Sequence, residues 1–188
     1  MTAALLVAVF VTLNAFTLSP RQVTDRDLGR FDSQMDLTDV TRIRPGDAHV
    51  VEQLAGAARG GGASEAVVTL ASFDVRPDMA RPPFTLYTEA PWPADPFPRR
   101  YQLREGRWPS QPGEVLVTDA LRRVLGPVES FTVFSGNDRL RVVGVARDLF
   151  GATPRILAAN GTWASLSDAT ARNFSTVLAT ATLHWKGC

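Results

Sequence analysis

The sequence predicts an α+β fold in which short helices pack on one face of mixed β-sheets. Hydrophobic residues make up 45% of the 188 residues and charged residues 21%, which are ordinary values for a globular domain with a sizeable core. Short apolar runs bounded by glycine and proline indicate strands, and few segments of helical periodicity lie between them. The resulting order is strand, helix, strand, then strand, helix, hairpin, helix and strand, which differs from the strict alternation of a βαβ fold.

Charge and cysteine content exclude several classes of function. The formal net charge is +1, so the chain has no electrostatic feature that would attract nucleic acid. Cys188 is the single cysteine, which excludes an internal disulfide. The length fits one medium domain, or two small subdomains, together with a terminal segment.

Residues 1–18 form an apolar stretch without a charged side chain. As a helix they would span roughly 27 Å, just enough for the hydrocarbon core of a bilayer. We therefore expect a single-pass transmembrane helix here, with a cleaved signal peptide or a buried helix as the alternatives. The sequence shows neither a basic region before the apolar run nor an Ala-x-Ala pattern after it, which argues against cleavage.

The charges beside this segment conflict with an outward orientation of the domain. Arg21, Arg26 and Arg30 follow the apolar run and no basic residue precedes it, so the positive-inside rule would leave the domain in the cytoplasm. Long domains, however, translocate largely regardless of charge. Charge alone therefore does not determine on which side of the membrane the domain lies.

Residues 19–35 are expected to form a juxtamembrane stalk, and residues 36–188 an extracytoplasmic α+β core domain. In the stalk, the apolar positions Val23, Leu28, Phe31 and Met35 fall near helical spacing, which favours a short helix. The aspartates of this region do not match the spacing of a calcium loop and indicate a solvated face.

Three elements are predicted at the start of the core domain. They are a strand over residues 36–44, a helix over residues 47–59 and a strand over residues 65–73. The triplet Gly60-Gly61-Gly62 ends the helix. Because it follows a helix and precedes a strand, we interpret it as a connector and not as a phosphate-binding loop.

Residues 76–98 are rich in proline and aromatic residues. Proline removes backbone donors, so only a short strand over residues 84–88 fits between the breaks. The candidate contacts for a partner protein or a transported ligand are Phe84, Tyr87, Trp92 and Phe97. The alternative is that these rings are buried and hold the loop in place.

A strand is predicted over residues 99–103. The residues that follow it, 107–148, are predicted to form the most compact unit of the chain. A turn at Pro112-Gly113 leads into a strand over residues 114–118 and a helix over residues 119–125, which ends at Gly126-Pro127. A hairpin follows, with strands over residues 130–134 and 140–146.

The remaining elements are a strand over residues 156–159, a helix that begins within residues 166–168 and ends at residue 174, and a strand over residues 176–185. In this last strand one set of alternate residues is apolar, and the other set, which includes Thr180, Thr182 and His184, is mostly polar. This alternation predicts a sheet with one face exposed to water.

An ordered set of short patterns runs through the compact unit: G-R-x-P, then P-G-E-V-hydrophobic-V, a short A-L-x-x-x-L-G helix, a strand, and a V-V-G-V-x-R-D strand. The residues of these patterns are Gly106, Arg107, Pro109, Pro112, Gly113, Glu114, Val115, Val117, Ala120, Leu121, Leu125, Gly126, Val142, Val143, Gly144, Val145 and Asp148. The set resembles the extracytoplasmic core domain, the MacB-like periplasmic core, of FtsX/MacB-type ABC transporter permeases. Its structural motif comprises Gly106, Arg107, Pro112, Gly113, Glu114 and Gly144.

The resemblance implies a non-catalytic domain in the extracellular or periplasmic space that couples ATP-driven conformational change to export or mechanotransmission. The implied partners are the cell membrane, the remaining permease helices or a second permease subunit, and a cytoplasmic ATPase subunit. Members of that family carry further membrane helices after this domain, so the chain is expected to be a truncated product, half of a split permease or a fragment. The alternative is an independent membrane-anchored or secreted binding module that uses residues 76–98.

No catalytic or cofactor-binding motif is present in the sequence. His49 and His184 lack metal-ligand spacing, and there is no P-loop, nucleophile elbow or Cys-x-x-Cys pair. We therefore expect no enzyme activity, no cofactor and no metal. Glu114 is expected to have a structural role, in which it accepts backbone N–H bonds or pairs with Arg107 or Arg141 and so holds the entry of its strand in place.

Overall fold

The structure, a computed structural model, describes residues 20–36, 42–43, 48–72, 75, 77–78, 85–167 and 179–187. Within these residues the chain forms one mixed β-sheet of ten strands with a few short helices. This is the predicted α+β class. The helices are α1 (Pro20–Asp27), α2 (Ala48–Gly60), α3 (Asp119–Leu125) and α4 (Thr162–Ser165), with a 3-10 helix at Trp92–Ala94. The strands are β1 (Ser33–Asp36), β2 (Arg42–Ile43), β3 (Glu65–Ser72), β4 (Leu86–Ala90), β5 (Tyr101–Gly106), β6 (Glu114–Thr118), β7 (Ser130–Val133), β8 (Asp138–Asp148), β9 (Arg155–Ala159) and β10 (Ala179–Lys186).

The strand order in the sheet is β1-β10-β3-β4-β9-β6-β8-β5, while β2 also pairs with β10 and β7 also pairs with β8. The pairs β4–β9 and β6–β8 are parallel, and the other pairs are antiparallel. Because β9 pairs with β4 on one side and with β6 on the other, the two mixed units expected from the element order are one continuous sheet.

Helices α2, α3 and α4 pack on the same face of the sheet, as the sequence predicted, but α1 borders the opposite face. The largest cluster of buried apolar side chains lies between them and the strands. Ala55 and Ala58 of α2, Leu121 of α3 and Trp163 of α4 belong to this cluster or pack against it. Burial of these side chains is the main source of stability for a domain of this kind.

The opposite face of the sheet is covered in two ways. Beside β5 and β6, residues 91–108 bury an aromatic cluster around Trp92 and Phe97. Beside β10 and β3, polar side chains line a cavity that Asp27 of α1 and Arg100 also border.

The prediction that this second face is wet along β10 is wrong at His184. Its side chain is 3% exposed, because the rings of Phe31 and Phe97 pack against the imidazole at centroid distances of 5.6 and 5.4 Å. Alternation within one strand shows which side chains share a face, but distant segments decide whether that face meets water.

Strand β6 and helix α3 have the predicted bounds, which confirms that part of the compact unit. Strands β3, β4, β5, β7, β8, β9 and β10 and helix α2 are present within three residues of the predictions where they are described. The strand predicted over residues 36–44 is two short strands, β1 and β2, on the same edge of β10. Helix α4 was not predicted, and the helix predicted to end at residue 174 falls largely outside the described residues.

The predicted transmembrane helix at residues 1–18 lies outside the described residues. In the described part of the chain, no helix is both long enough and apolar enough to cross a bilayer. The segment expected as a stalk is helical over Pro20–Asp27, but Phe31 is buried and β1 pairs with β10. The sheet therefore begins at Ser33, inside that segment.

Candidate functional site

Two glycines of the sequence motif face each other where β5 pairs with β8. Gly106 and Gly144 are register partners, and Gly106 has a φ of +73°, which side chains of L residues rarely adopt. A Cβ on Gly106 would lie 2.1 Å from the carbonyl oxygen of Val143, and one on Gly144 would lie 2.3 Å from that of Glu105. Glycine at both positions therefore permits a close approach of the two backbones. At the next residue along the chain, the N–H of Arg107 donates to the carbonyl of Val143 at 3.1 Å.

Glu114 receives hydrogen bonds from two arginines and two backbone amides. Arg107 donates to both carboxylate oxygens, from Nη1 at 2.7 Å and from Nη2 at 2.6 Å, and Arg141 donates to Oε1. The amides of Ser110 and Gln111 donate to Oε2 at 3.1 and 3.4 Å. These are the contacts predicted for Glu114 from the sequence. They join the loop after β5, the start of β6 and strand β8 at one carboxylate that is 3% exposed.

The hydrogen bonds from Arg107, and then those from the amides of Ser110 and Gln111, lower the pKa of Glu114 from 4.5 to about 2 although burial opposes the shift. The carboxylate is therefore charged at any ordinary pH. A charged, fully hydrogen-bonded group of this kind acts as a structural anchor and not as a proton donor.

We expect Glu114 to make the stability of the domain depend on pH in the acid range. Because its pKa is lower in the folded state, its contribution is present above pH 4.5 and is lost as the pH falls towards 2. The loss should be about 1–2 kcal/mol, since Arg107 and Arg141 are more than half exposed and solvent screens them. Urea unfolding of the native protein and of Glu114→Gln between pH 2 and 7 measures it, and the stability difference between the two should shrink in acid. A difference that stays constant would contradict this role.

Pro112 and Gly113 form the turn before β6. Gly113 has a φ of +83°, and no atom lies within 4 Å of a Cβ built on it, so the backbone conformation and not space requires glycine. Its N–H donates to Thr162 Oγ1 at 3.0 Å, and its carbonyl accepts from the N–H of Arg141 at 2.9 Å. The turn thus connects the start of β6 with β8 and α4.

A second buried carboxylate, Glu89, escaped the sequence analysis. It lies on β4 and is 2% exposed, and it accepts hydrogen bonds from Tyr87 Oη at 2.8 Å and from the amides of Gly161 and Trp163 at 2.7 and 2.6 Å. Burial raises the pKa of Glu89, although these donors oppose the shift. The only signal for it in the sequence was an acid within an apolar strand. Its contacts fasten α4 to β4.

The aromatic residues considered as partner contacts are buried where the structure describes them. Tyr87, Trp92 and Phe97 are 1%, 2% and 5% exposed, and Phe84 lies outside the described residues. Trp92 donates from Nε1 to the carbonyl of Ala158 at 2.7 Å and stacks on Trp108 at a centroid distance of 5.9 Å. Trp92 and Phe97 hold the segment onto the second face of the sheet, whereas Tyr87 lies on β4 itself and packs in the main core against Trp163. All three rings are buried, which was the alternative stated for them.

The chain enters and leaves the sheet at neighbouring points. Ser33, the first residue of β1, is the register partner of Trp185 near the end of β10. The N–H of Asp32 donates to the carbonyl of Trp185 at 3.1 Å, and the N–H of Gly187 donates to the Asp32 carboxylate at 3.2 Å. Arg30 forms an ion pair with Glu65 at the start of β3. We call this set of contacts the entry–exit junction.

Helix α1 is attached to the segment that precedes β5. Arg99 pairs with Asp25 at 3.1 Å, and Arg100 donates to the carbonyl of Arg26 at 2.9 Å. The turn after α1 lies so close to this segment that a Cβ on Gly29 would be 2.2 Å from the carbonyl oxygen of Pro96. Helix α1 is therefore held against the domain at several points.

Among the described residues, no three His, Cys, Asp or Glu side chains are grouped closely enough to hold a metal ion. The Nε2 atom of His184 lies 3.1 Å from Thr69 Oγ1. The side chain of His49 falls outside the described part.

The chain has a limited structural likeness to a solved protein domain. The extracellular domain of a noncanonic ABC-type transporter, YknZ, from Gram-positive bacteria aligns with a TM-score of 0.47 and 8% identity, over 83% of this chain and 85% of that one. No family model and no curated protein matches the chain.

Proposed function

We propose that this chain provides a non-catalytic extracytoplasmic domain of an FtsX-like ABC transporter permease. In this proposal the domain lies outside the cell membrane, and the segment leading into α1 links it to the bilayer. Its partners are the remaining permease helices or a second permease subunit, together with a cytoplasmic ATPase. The domain itself moves and contacts the other subunits, and the ATPase hydrolyses ATP.

The observation that carries this proposal is the entry–exit junction. A domain inserted between two membrane segments must receive the chain and return it at neighbouring points. The antiparallel pairing of β1 with β10, with Ser33 opposite Trp185, has this geometry. The hydrogen bonds between Asp32 and the residues around Trp185 and Gly187 tie the two chain segments together at that point.

The attachment of α1 supports a mechanical role. Because Arg99 and Arg100 bind α1 and Gly29 packs on Pro96, a displacement of α1 acts on the segment before β5. That segment is itself buried on the sheet through Trp92. Packed elements move together, so motion at α1 would be transmitted to the sheet through this buried segment.

The motif residues are consistent with a scaffold. Gly106, Gly113 and Gly144 allow a positive φ or a close approach of two backbones, and Arg107 and Glu114 form an ion pair. These five residues do not form an arrangement of nucleophile and base. These residues therefore have structural roles within the compact unit.

The location of the domain is tested by labelling in whole cells with a membrane-impermeant maleimide. In a background with Cys188→Ser, a cysteine replacing Gln53, which is exposed on α2, should react before lysis. A cysteine replacing Ala158, which is fully buried, is the matched control and should react only after denaturation. Reaction of the Gln53→Cys protein only after lysis would place the domain in the cytoplasm and refute the proposal.

Assembly is tested by isolating the tagged full chain from its native membrane in mild detergent. We expect a subunit with several membrane helices and an ATPase to be recovered in fixed proportion, with ATP hydrolysis measurable in the isolated complex. Recovery of the chain only as a free monomer would count against the permease function. It would favour a separate binding module, although burial of Tyr87, Trp92 and Phe97 removes the surface first considered for that alternative.

A further inference from the structure

A polar cleft of about 350 Å³ lies between α3 and the strands β5 and β8. Arg104 on β5, Arg147 on β8 and Arg123 on α3 line it, together with Asp119 and Asp148. Within the described residues β5 is the last strand of the sheet order, so one edge of this strand faces no further strand. The cleft shares no residue with the entry–exit junction, and the proposed function does not use it.

The three arginines of the cleft are exposed, and none of their side chains forms an ion pair or a hydrogen bond within the described part of the chain. Arg104 and Arg147 lie on adjacent strands, because Gln102, two residues before Arg104, is the register partner of Arg147. Like charges on neighbouring strands repel each other. The fold therefore holds positive charges together here without supplying their counter-charge.

The two aspartates of the cleft do not neutralise these arginines. Asp148 accepts a hydrogen bond from the N–H of Phe150 at 3.0 Å, and its Oδ2 lies 3.6 Å from Nε of Arg155, a largely buried side chain that does not line the cleft. Asp119 precedes Arg123 by one helical turn, a spacing at which opposite charges can pair, but the two side chains form no ion pair. Among the lining residues, three guanidinium groups thus face one available carboxylate.

Two exposed apolar side chains flank the cleft. Val124, next to Arg123 on α3, is 45% exposed, and Leu149, which follows Asp148, is 50% exposed. Arginine is enriched in the interfaces between proteins. A small ion would bind the charges alone, whereas a protein segment covers the charges and the apolar side chains together.

We propose that the surface made of Arg104, Arg123, Arg147, Val124 and Leu149 binds an acidic segment of another protein. Carboxylates of that segment pair with the arginines, whose guanidinium donors match a carboxylate in geometry. Its apolar side chains cover Val124 and Leu149. All five side chains are exposed, so the segment reaches them without a change in the fold. That this partner is extracytoplasmic rests on the proposed function, whereas the contact itself does not.

Binding is tested with the full chain in mild detergent, by fluorescence anisotropy of a labelled peptide of glutamate and leucine residues. We expect saturable binding that weakens as salt is added, and no binding of the same peptide with glutamine in place of glutamate. No saturable binding of the glutamate peptide, or equal binding of the glutamine peptide, would overturn the proposal. Displacement of the glutamate peptide by sodium phosphate but not by sodium acetate, at equal ionic strength, would show a preference for phosphate groups such as those of lipids. That result would overturn the assignment to a protein segment.

Variants connect the binding to the cleft. The double variant Arg104→Gln, Arg147→Gln should weaken binding of the glutamate peptide about tenfold. Arg59→Gln, Arg139→Gln is the matched control, because it removes the same charge at two exposed arginines that do not line the cleft. Equal weakening in the control would mean that the peptide binds basic surface in general, and would overturn the site. Leu149→Ser should weaken binding about threefold, and unchanged binding would overturn the apolar part of the proposal.

The stability of the double variant without peptide provides an independent check. Since Arg104 and Arg147 have no partner among the described residues and repel each other, their replacement should leave Tm equal or slightly higher. A marked decrease would show that these side chains are bound within the protein and would overturn their assignment as partner contacts. Neither membrane topology nor an ATPase enters these measurements, so their failure is distinguishable from failure of the proposed function.

Discussion

Replacing Gly106 with alanine should destabilise the domain by about 3–5 kcal/mol. Two effects add, because an L residue at a φ of +73° is strained and the new Cβ would lie 2.1 Å from the carbonyl oxygen of Val143. That oxygen belongs to the backbone of β8 and cannot rotate away. Urea unfolding of the native and variant proteins measures the change in the free energy of unfolding.

Gly136→Ala is the matched control for this experiment. Gly136 also has a positive φ, +83°, but no atom lies within 4 Å of a Cβ built on it. We expect a loss of about 1–2 kcal/mol from backbone strain alone. If the two variants lost equal stability, the close approach of β5 and β8 at Gly106 and Gly144 would not be the reason for glycine there.

Replacing Glu89 with alanine should destabilise the domain by a similar amount, about 3–5 kcal/mol. The change leaves the buried hydroxyl of Tyr87 and the amides of Gly161 and Trp163 without their acceptor. It also opens a void beside the main core. Trp163 is fully buried, so its fluorescence should report the loosening of α4 as well as global unfolding.

The variant Glu89→Gln distinguishes the loss of hydrogen-bond acceptors from the loss of side-chain volume. Glutamine keeps the shape and one carbonyl oxygen, so we expect it to recover part of the stability lost in Glu89→Ala. Glu105→Ala, on exposed β5, should change stability by less than about 0.5 kcal/mol. An equally small effect of Glu89→Ala would mean that α4 does not depend on this carboxylate.

Local signals explain why β6 and α3 could be predicted from the sequence. The turn before β6 depends on Pro112 and Gly113, and the helix that follows ends at Gly126, whose φ of +72° favours glycine. Each of these features depends on residues that are neighbours along the chain. The role of Glu114 was also predictable, because its partner Arg107 is only seven residues away.

The second face of the sheet could not be predicted in this way. Trp92 and Phe97 were candidates for a partner surface, and their burial there depends on strands that lie far away in the chain. Glu89 is comparable, because its two amide donors lie 72 and 74 residues further on. Neither residue type nor spacing identifies such partners, because a single sequence does not show which distant segments contact each other in the fold.

The sequence by itself determined the α+β class, the strands and the helix of residues 107–148, and the glycines of two turns, Gly113 before β6 and Gly126 after α3. These features follow from turn geometry and side-chain periodicity, which act over a few residues. The tertiary structure alone decided that β1 pairs with β10, that aromatic rings close one part of the second face, and that Arg100, Tyr101 and Arg155 meet in a cavity there. Those outcomes depend on how the whole sheet is ordered, because only that order brings residues from opposite ends of the chain within hydrogen-bond distance.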